Sequence, residues 1–152
     1  MYDLILKNGL IVDGTGAPSY TADLAIKDGT IAAIAPKLEA PAQKVLDVTG
    51  LTVCPGFIEC HTHSDTNAFT GSACINLLEQ GSTTQIAGNC GTSPAPYYEG
   101  AMRSMKQKLS PEKFEQWAAY AATPRSFMEV ANTQSYGTNY AFLIGHSAIR
   151  GS

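Results

Sequence analysis

Hydrophobic and polar positions change rhythm once along this chain, at Pro55-Gly56. Before that point the apolar runs are short, and most run into turn residues. Asp3-Leu4-Ile5-Leu6 runs into Asn8-Gly9, and Leu10-Ile11-Val12 runs into Asp13-Gly14. Ala22 to Ile26 and Thr30 to Ile34 flank Asp28-Gly29. Asn-Gly and Asp-Gly between alternating apolar runs are strong hairpin signals, because the central residues of a type I′ turn need positive φ. Val45 to Val48 and Leu51 to Val53 follow, divided by Thr49-Gly50. Residues 1–56 are therefore predicted to form a small β domain of short strands and tight turns. Such a patch cannot cover both faces of its own sheet and is expected to pack on something.

After Gly56 the apolar runs lengthen and helical segments separate them. Residues 57–60 read as a strand, 73–80 as a short helix ended by Gly81, and 83–88 as a second strand leading to Asn89-Cys90-Gly91. A loop broken by Pro94 and Pro96 comes next, then two helices. Ser110-Pro111 opens one as N-cap and first helical residue. Ser126-x-x-Glu129 opens the other as a capping box. A third strand, 140–145, leads into His146. Apolar strands alternating with helices predict βαβαβ, an α/β unit over 57–152 with a parallel sheet buried on both faces.

The polar residues of interest all fall at the C-terminal ends of these strands: His61 and His63, then Asn89 and Cys90, then His146. That edge is where parallel α/β folds build their sites. Successive strand side chains alternate faces, so His61 and His63 project together and Thr62 turns away. Two histidines at a strand–loop boundary need no chemistry to explain them. Their convergence with a thiol on the neighbouring strand is harder to pass over.

Composition narrows the choice. The formal net charge is -3, the sequence pI is near 5.5, and 15% of residues are charged. With no basic stripe to neutralise phosphates, a nucleic-acid partner is not expected. No apolar run approaches the roughly 20 residues that span a bilayer, so no membrane partner is expected. Met1-Tyr2-Asp3 carries an acid where a signal peptide needs basic residues, which predicts a cytoplasmic protein. Cys54, Cys60, Cys74 and Cys90 are then free thiols. Three of them read as small buried hydrophobes, and Cys90 as a candidate ligand.

His61, His63 and a Cys90 thiolate would offer mixed nitrogen and sulfur ligation, which suits zinc. Zinc with an open position lowers the pKa of bound water to near 7. Asp65 either orients a ligating histidine or caps the helical segment that follows. His146 is open to three readings: a third nitrogen ligand, a substrate contact, or a histidine bonded to a nearby carbonyl. Phe114, Trp117, Tyr120 and Phe127 fall at helical spacings and read as core.

These residues carry a resemblance. DLILKNGLIVDGTGAP, KDGTIAAIA, PGFIECHTHSD, QGSTTQIAGNCGTSPAP and LIGHSAIRGS resemble the amidohydrolase superfamily, and within it the N-acyl-D-amino-acid deacylases (D-aminoacylases). PGFIECHTH marks the superfamily, and GNCG followed by SPAP marks the deacylase branch. Residues 97–138 carry little of the likeness. Cys54 and Cys60 stand where the family more often has small or aliphatic residues, and Glu59 where it often has Asp. The resemblance implies a (β/α)8 barrel with a small β-sandwich, one or two zinc ions at the barrel mouth, and a small-molecule N-acyl amino acid as substrate. It assigns His61, His63 and Cys90 to metal, with Asp65, Asn89 and His146 as supporting or substrate-contacting residues.

A (β/α)8 barrel needs about 250 residues, and the stretch after Gly56 matches its first three strands. The expected reading is thus sandwich strands over 1–56 and an incomplete barrel over 57–152. In the complete enzyme, metal-bound hydroxide would attack a linear amide. The family's later histidines and its aspartate general base have no counterpart here, so this polypeptide alone is expected to be inactive. Within the superfamily the rival is a cyclic-amide hydrolase of hydantoinase or dihydroorotase type, which bridges its metals with a carbamylated lysine and has no need of Cys90. The rival outside it is a non-catalytic, truncated polypeptide that binds metal or self-associates through an exposed sheet edge.

Overall fold

Asn8-Gly9 does not turn the chain back. The computed structural model, which describes residues 1–65, 67 and 73–152, carries one strand, β1 (Tyr2–Ile11), straight through it. Strand β2 (Tyr20–Lys27) pairs antiparallel with β1 on both sides of a bulge, with Leu6 opposite Leu24 and Gly9 opposite Ala22. Lys7 and Asn8 therefore share Asp23, and Asn8 absorbs the extra residue at φ 63°. The hairpin expectation fails because an asparagine in the left-handed region serves a bulge as readily as a turn.

Asp23 collects the donors this bulge leaves over. Its Oδ1 accepts from the Asn8 N–H at 2.9 Å, and its Oδ2 accepts from Lys7 Nζ at 2.7 Å and the Leu38 N–H at 2.8 Å. Burial raises the pKa of this carboxyl, but the hydrogen bonds and the Lys7 charge outweigh it and hold the group at about 2.

Asp28-Gly29 does form the predicted two-residue hairpin, between β2 and β3 (Thr30–Ala35), with both residues at positive φ. Asp13-Gly14 lies in the longer connection from β1 to β2, where Asp13 Oδ1 accepts from the Thr15 N–H and hydroxyl. Strands β4 (Ala42–Asp47) and β5 (Thr52–Val53) both run parallel to β1, one after the other along one edge. The Thr49-Gly50 step only resets their register. The sheet order is β3-β2-β1-β4, with β5 also on β1. Ile5 and Ile11 are its buried anchors on β1, opposite Ala25 and Tyr20. These elements make up one unit, Met1–Pro55.

In the second unit, Gly56–Ser152, β6 (Phe57–Glu59), β7 (Ser82–Ala87) and β8 (Asn139–Phe142) form a sheet in that order. Both pairings are parallel, as the apolar runs predict. The expectation of burial on both faces is met only in part, on the middle strand: Gln85 and Ala87, which share one face, are fully buried, and Thr84 and Ile86 on the other face are half-buried. Phe57 and Ile58 on β6 are 58% and 60% exposed, and Leu143 and Ile144 beyond β8 are 51% and 53% exposed. Edge strands have a neighbour on one side only.

Helix α1 (Ile75–Leu78) is shorter than the sequence suggests. Three helices, not two, lie between β7 and β8. Helix α2 (Glu99–Lys108) begins at Tyr98 without a side-chain cap, which leaves no start signal to read. Helix α3 (Pro111–Tyr120) begins as predicted, with Ser110 Oγ accepting from the Lys113 N–H. Helix α4 (Pro124–Ala131) starts earlier than predicted: Thr123 is its N-cap, and Ser126 is the third helical residue of a reciprocal capping box. Pro124 fits the first helical position and decides between the two overlapping signals. The third strand ends at Phe142, short of the predicted 145, and His146 is the first residue of helix α5 (His146–Gly151).

Met105, Phe114, Trp117 and Ala121 form one core cluster, from α2 and α3 through the residue after α3. Ala95, Phe127 and Ala131 form another, against Tyr136 and Phe142. Phe127 and Phe142 meet edge to face at 5.3 Å, an arrangement worth about 1 kcal/mol beyond area burial. The four cysteines are free, but only Cys74 is buried. Cys54 and Cys60, each just after a short strand (β5 and β6), are exposed, contrary to expectation. Among the described residues, no helix is long and apolar enough to cross a membrane.

Candidate metal centre

Thr62 decides where the two histidines point. Its N–H donates to the Ile86 carbonyl at 3.0 Å and its hydroxyl to the same oxygen at 3.1 Å. The backbone thus keeps pairing with β7 past the end of β6, and Thr62 is fixed against that strand. His61 and His63 stand free of it, exposed, with ring centroids 5.5 Å apart. Glu59 Oε1 accepts from the His61 N–H at 3.0 Å and steadies the bend.

A buried polar chain holds this loop from behind. The Ser64 hydroxyl lies 3.0 Å from that of Thr62 and donates to Gln85 Oε1. Gln85 is fully buried on β7, and its Nε2 donates to Thr138 Oγ1 at 2.6 Å. Sequence reasoning missed Gln85. Its only signal was a lone amide inside an apolar strand, a group that cannot be buried without partners.

Cys90 arrives from the turn after β7. Gly88, Cys90 and Gly91 all have positive φ, at 83°, 54° and 77°. At Gly88 a side chain is also excluded by space, because a Cβ would lie 2.1 Å from the Leu143 carbonyl oxygen. That close approach lets the Leu143 N–H donate to the Ala87 carbonyl at 2.9 Å. Asp65 Oδ1 accepts from the Gly88 N–H at 2.6 Å. Asn89 Nδ2 donates to the carbonyls of Ile86 at 2.9 Å and Thr62 at 3.3 Å. The two strand-end loops are therefore locked together by side chain to backbone bonds.

The outcome is a small constellation. His61 Nε2 lies 3.3 Å from Cys90 Sγ. One ligand atom from each of His61, His63 and Cys90 falls within 4.8 Å of the others, and all three residues are exposed. Nitrogen and sulfur bound to one tetrahedral zinc at about 2.05 and 2.3 Å stand about 3.6 Å apart; the His61–Cys90 pair is near that separation, and two imidazoles with a thiol are a donor set that suits zinc. Among the described residues this is the one such group.

The supporting residues fall out differently. Asp65 Oδ2 is 4.0 Å from His63 Nδ1, beyond hydrogen-bond length, and Asp65's bond goes to Gly88. The segment it was alternatively read as capping includes residues 66 and 68–72, which lie outside the described residues. Asn89 is buried and bonded to backbone, so it braces the loops. His146 is exposed at the start of α5, on the same sheet edge but outside the donor group.

No family model matches the chain. Sequence comparison aligns 98% of it with the D-aminoacylase of Alcaligenes xylosoxydans xylosoxydans at 34% identity, over 30% of that enzyme. Its structure matches the N-acyl-D-glutamate deacylase of Bordetella bronchiseptica, crystallised with zinc and a phosphonate inhibitor, at a TM-score of 0.80 and 32% identity. The match covers 99% of this chain and 31% of the deacylase. A D-aminoacylase with a binuclear metal centre matches at a TM-score of 0.83 and 32% identity, over 99% and 31% of the two chains. The chain spans about three tenths of the length of the curated relatives it matches. Over nearly its whole length, this mixed α/β chain is a homologue of the D-aminoacylases and N-acyl-D-amino-acid deacylases of the amidohydrolase superfamily.

Proposed function

We propose that this chain carries part of the zinc centre of a hydrolase that removes the acyl group from N-acyl-D-amino acids. One observation carries the reading: His61, His63 and Cys90 gather their ligand atoms within 4.8 Å at the C-terminal ends of adjacent parallel strands. The overall reaction adds water across a linear amide, giving a carboxylate and the free amino acid. Bound zinc would supply Lewis-acid polarisation of the carbonyl and a water of lowered pKa. The thiol in the donor set supports the linear-amide reading over the cyclic-amide one.

The chain's own residues hold and aim. His61, His63 and Cys90 bind metal. Thr62, Asp65 and Asn89 fix the two loops that carry them, and His146 stands on the substrate side. In this reading β6, β7 and β8 are the first three strands of a (β/α)8 barrel, and residues 1–56 belong to a β-sandwich. The substrate is a small N-acyl amino acid.

Cobalt(II) substitution tests the centre. The 152-residue chain should bind one equivalent with thiolate-to-cobalt charge-transfer absorbance, and Cys90→Ser should abolish that band. Binding that is unchanged in Cys90→Ser and in His61→Ala would refute the centre.

A further inference from the structure

We infer that Gln85 is a positioning residue of the metal centre, holding His63 in its ligating place through the Ser64 hydroxyl. The inference rests on the zinc-centre reading, since it says what aims one of the three donors. Gln85 lies in the middle strand, in register with Glu59 on β6 and Tyr140 on β8, and is fully buried. An aliphatic side chain would fill such a position with no polar atom to satisfy. A buried amide brings one acceptor and two N–H donors, and leaving them unmatched is costly.

Both partners of this amide lie on other segments. Ser64, in the loop after β6, donates to its Oε1. Its Nε2 donates at 2.6 Å to Oγ1 of Thr138, a buried residue just before β8. Clamped at both ends, the amide cannot turn without giving up both bonds. The middle strand thus sets where Ser64 stands, and Ser64 is the residue that follows His63.

Of the three donors, His63 is the one that needs this support. The His61 N–H is bonded to Glu59, and its ring lies 3.3 Å from Cys90 Sγ. The turn that carries Cys90 is tied to Asp65 through the Gly88 N–H. The His63 ring has only looser neighbours: Asp65 Oδ2 at 4.0 Å, and the His61 ring edge to face with centroids 5.5 Å apart. Its place is therefore set by the residues on either side. Thr62 is bonded to the Ile86 carbonyl and Ser64 to Gln85. The next tie, from Asp65 to Gly88, lies two residues beyond His63. The Ser64 bond is thus the one that fixes the peptide following the ring.

Two variants of the 152-residue chain cut this link from opposite ends. Gln85→Met keeps the length of the side chain and removes the amide, and Ser64→Ala removes the hydroxyl and leaves the strand intact. Each should weaken cobalt(II) binding about tenfold or more, yet keep the thiolate-to-cobalt band, because Cys90 remains a ligand. In a His63→Ala background the same substitutions should change affinity by less than about twofold. An undiminished loss with His63 already removed would show that Gln85 only supports the fold, and would overturn the inference. Unchanged affinity in both variants would overturn it as well. If Gln85→Met does not fold, Ser64→Ala decides alone. The metal-free chain gives a second readout, since it has three histidines to assign. The nuclear Overhauser contact between the His61 and His63 rings should be lost in both variants, and its retention would count against Gln85. Cobalt binding with unaltered affinity in the variants defeats the role of Gln85 alone. Loss of the ring contact in a chain that binds no cobalt upholds that role and defeats the metal centre.

Discussion

His61 Nε2 stands 3.3 Å from Cys90 Sγ although 29 residues separate them in sequence. Parallel pairing of β6 with β7 brings the two strand ends together, and the Gly88–Gly91 turn aims the thiol inward. The cost falls on Cys90, whose φ of 54° lies in the left-handed region that side chains other than glycine's occupy at about 1 kcal/mol or more. A position that prefers glycine but holds a thiol separates stability from binding. Cys90→Gly should therefore leave the fold as stable or raise it by about 1 kcal/mol, while zinc affinity falls by about 100-fold or more. Thermal melts beside a competitive zinc titration would check both halves.

Gly88→Ala should do the opposite and damage the fold directly. Its Cβ would sit 2.1 Å from a backbone oxygen that cannot swing aside. The expected loss is about 3 kcal/mol or more, read as a lower urea midpoint, with the cobalt–thiolate band reduced as the turn shifts.

Stability should fall in acid through Asp23. Its carboxyl is held at about 2 in the folded chain, below the ordinary value of 3.8. A group depressed on folding stabilises above its unfolded value, and that contribution is lost as pH drops toward the folded one. The N-terminal sheet should therefore weaken between about pH 4 and pH 2. Asp23→Asn should flatten this acid limb and cost about 2 kcal/mol at neutral pH through lost charged hydrogen bonds. Denaturation at stepped pH distinguishes the two chains.

Self-association should follow from the exposed apolar edges. Phe142 is covered by the Phe127 cluster, but Ile58, Leu143 and Ile144 are not. The isolated chain should show concentration-dependent mass in sedimentation at micromolar to millimolar levels. Ile58→Lys with Ile144→Lys should shift it toward monomer. A monomer across that range would refute association through these edges.

Turnover should be at background for the 152-residue chain with N-acetyl-D-methionine, even when zinc is bound. Three donors without a positioned general base leave the chemistry without its proton acceptor. Zinc-dependent release of D-methionine by the purified chain would show that the site is completed otherwise.

The parallel order of β6, β7 and β8 was legible because apolar runs separated by helical segments admit few other arrangements. The meeting of His61, His63 and Cys90 followed from their places at strand ends. What stayed hidden was nonlocal or ambiguous. Asn8-Gly9 writes the same local code for a turn and for a bulge, and only the Asp23 carboxylate across the sheet selects the bulge. Thr123-Pro124 and Ser126-x-x-Glu129 are overlapping start signals, and α2 has none. The bonds from Ser64 to Gln85 and from Asp65 to Gly88 join residues more than twenty apart, which no periodicity announces.

The bulge in β1 also settles a question of sidedness. Ile5 and Ile11 are an even number of residues apart, and in an unbroken strand they would share one face. Their partners say otherwise: Ala25 and Tyr20 are an odd number apart on β2, so the two isoleucines lie on opposite faces. Both are nonetheless buried, at 1% and 3% exposure. The extra residue at Asn8 acts as a parity switch. Without its left-handed step, Ile11 would join Ile5, and Leu10, now 40% exposed, would take its buried place. One strand thus anchors both sides of its sheet.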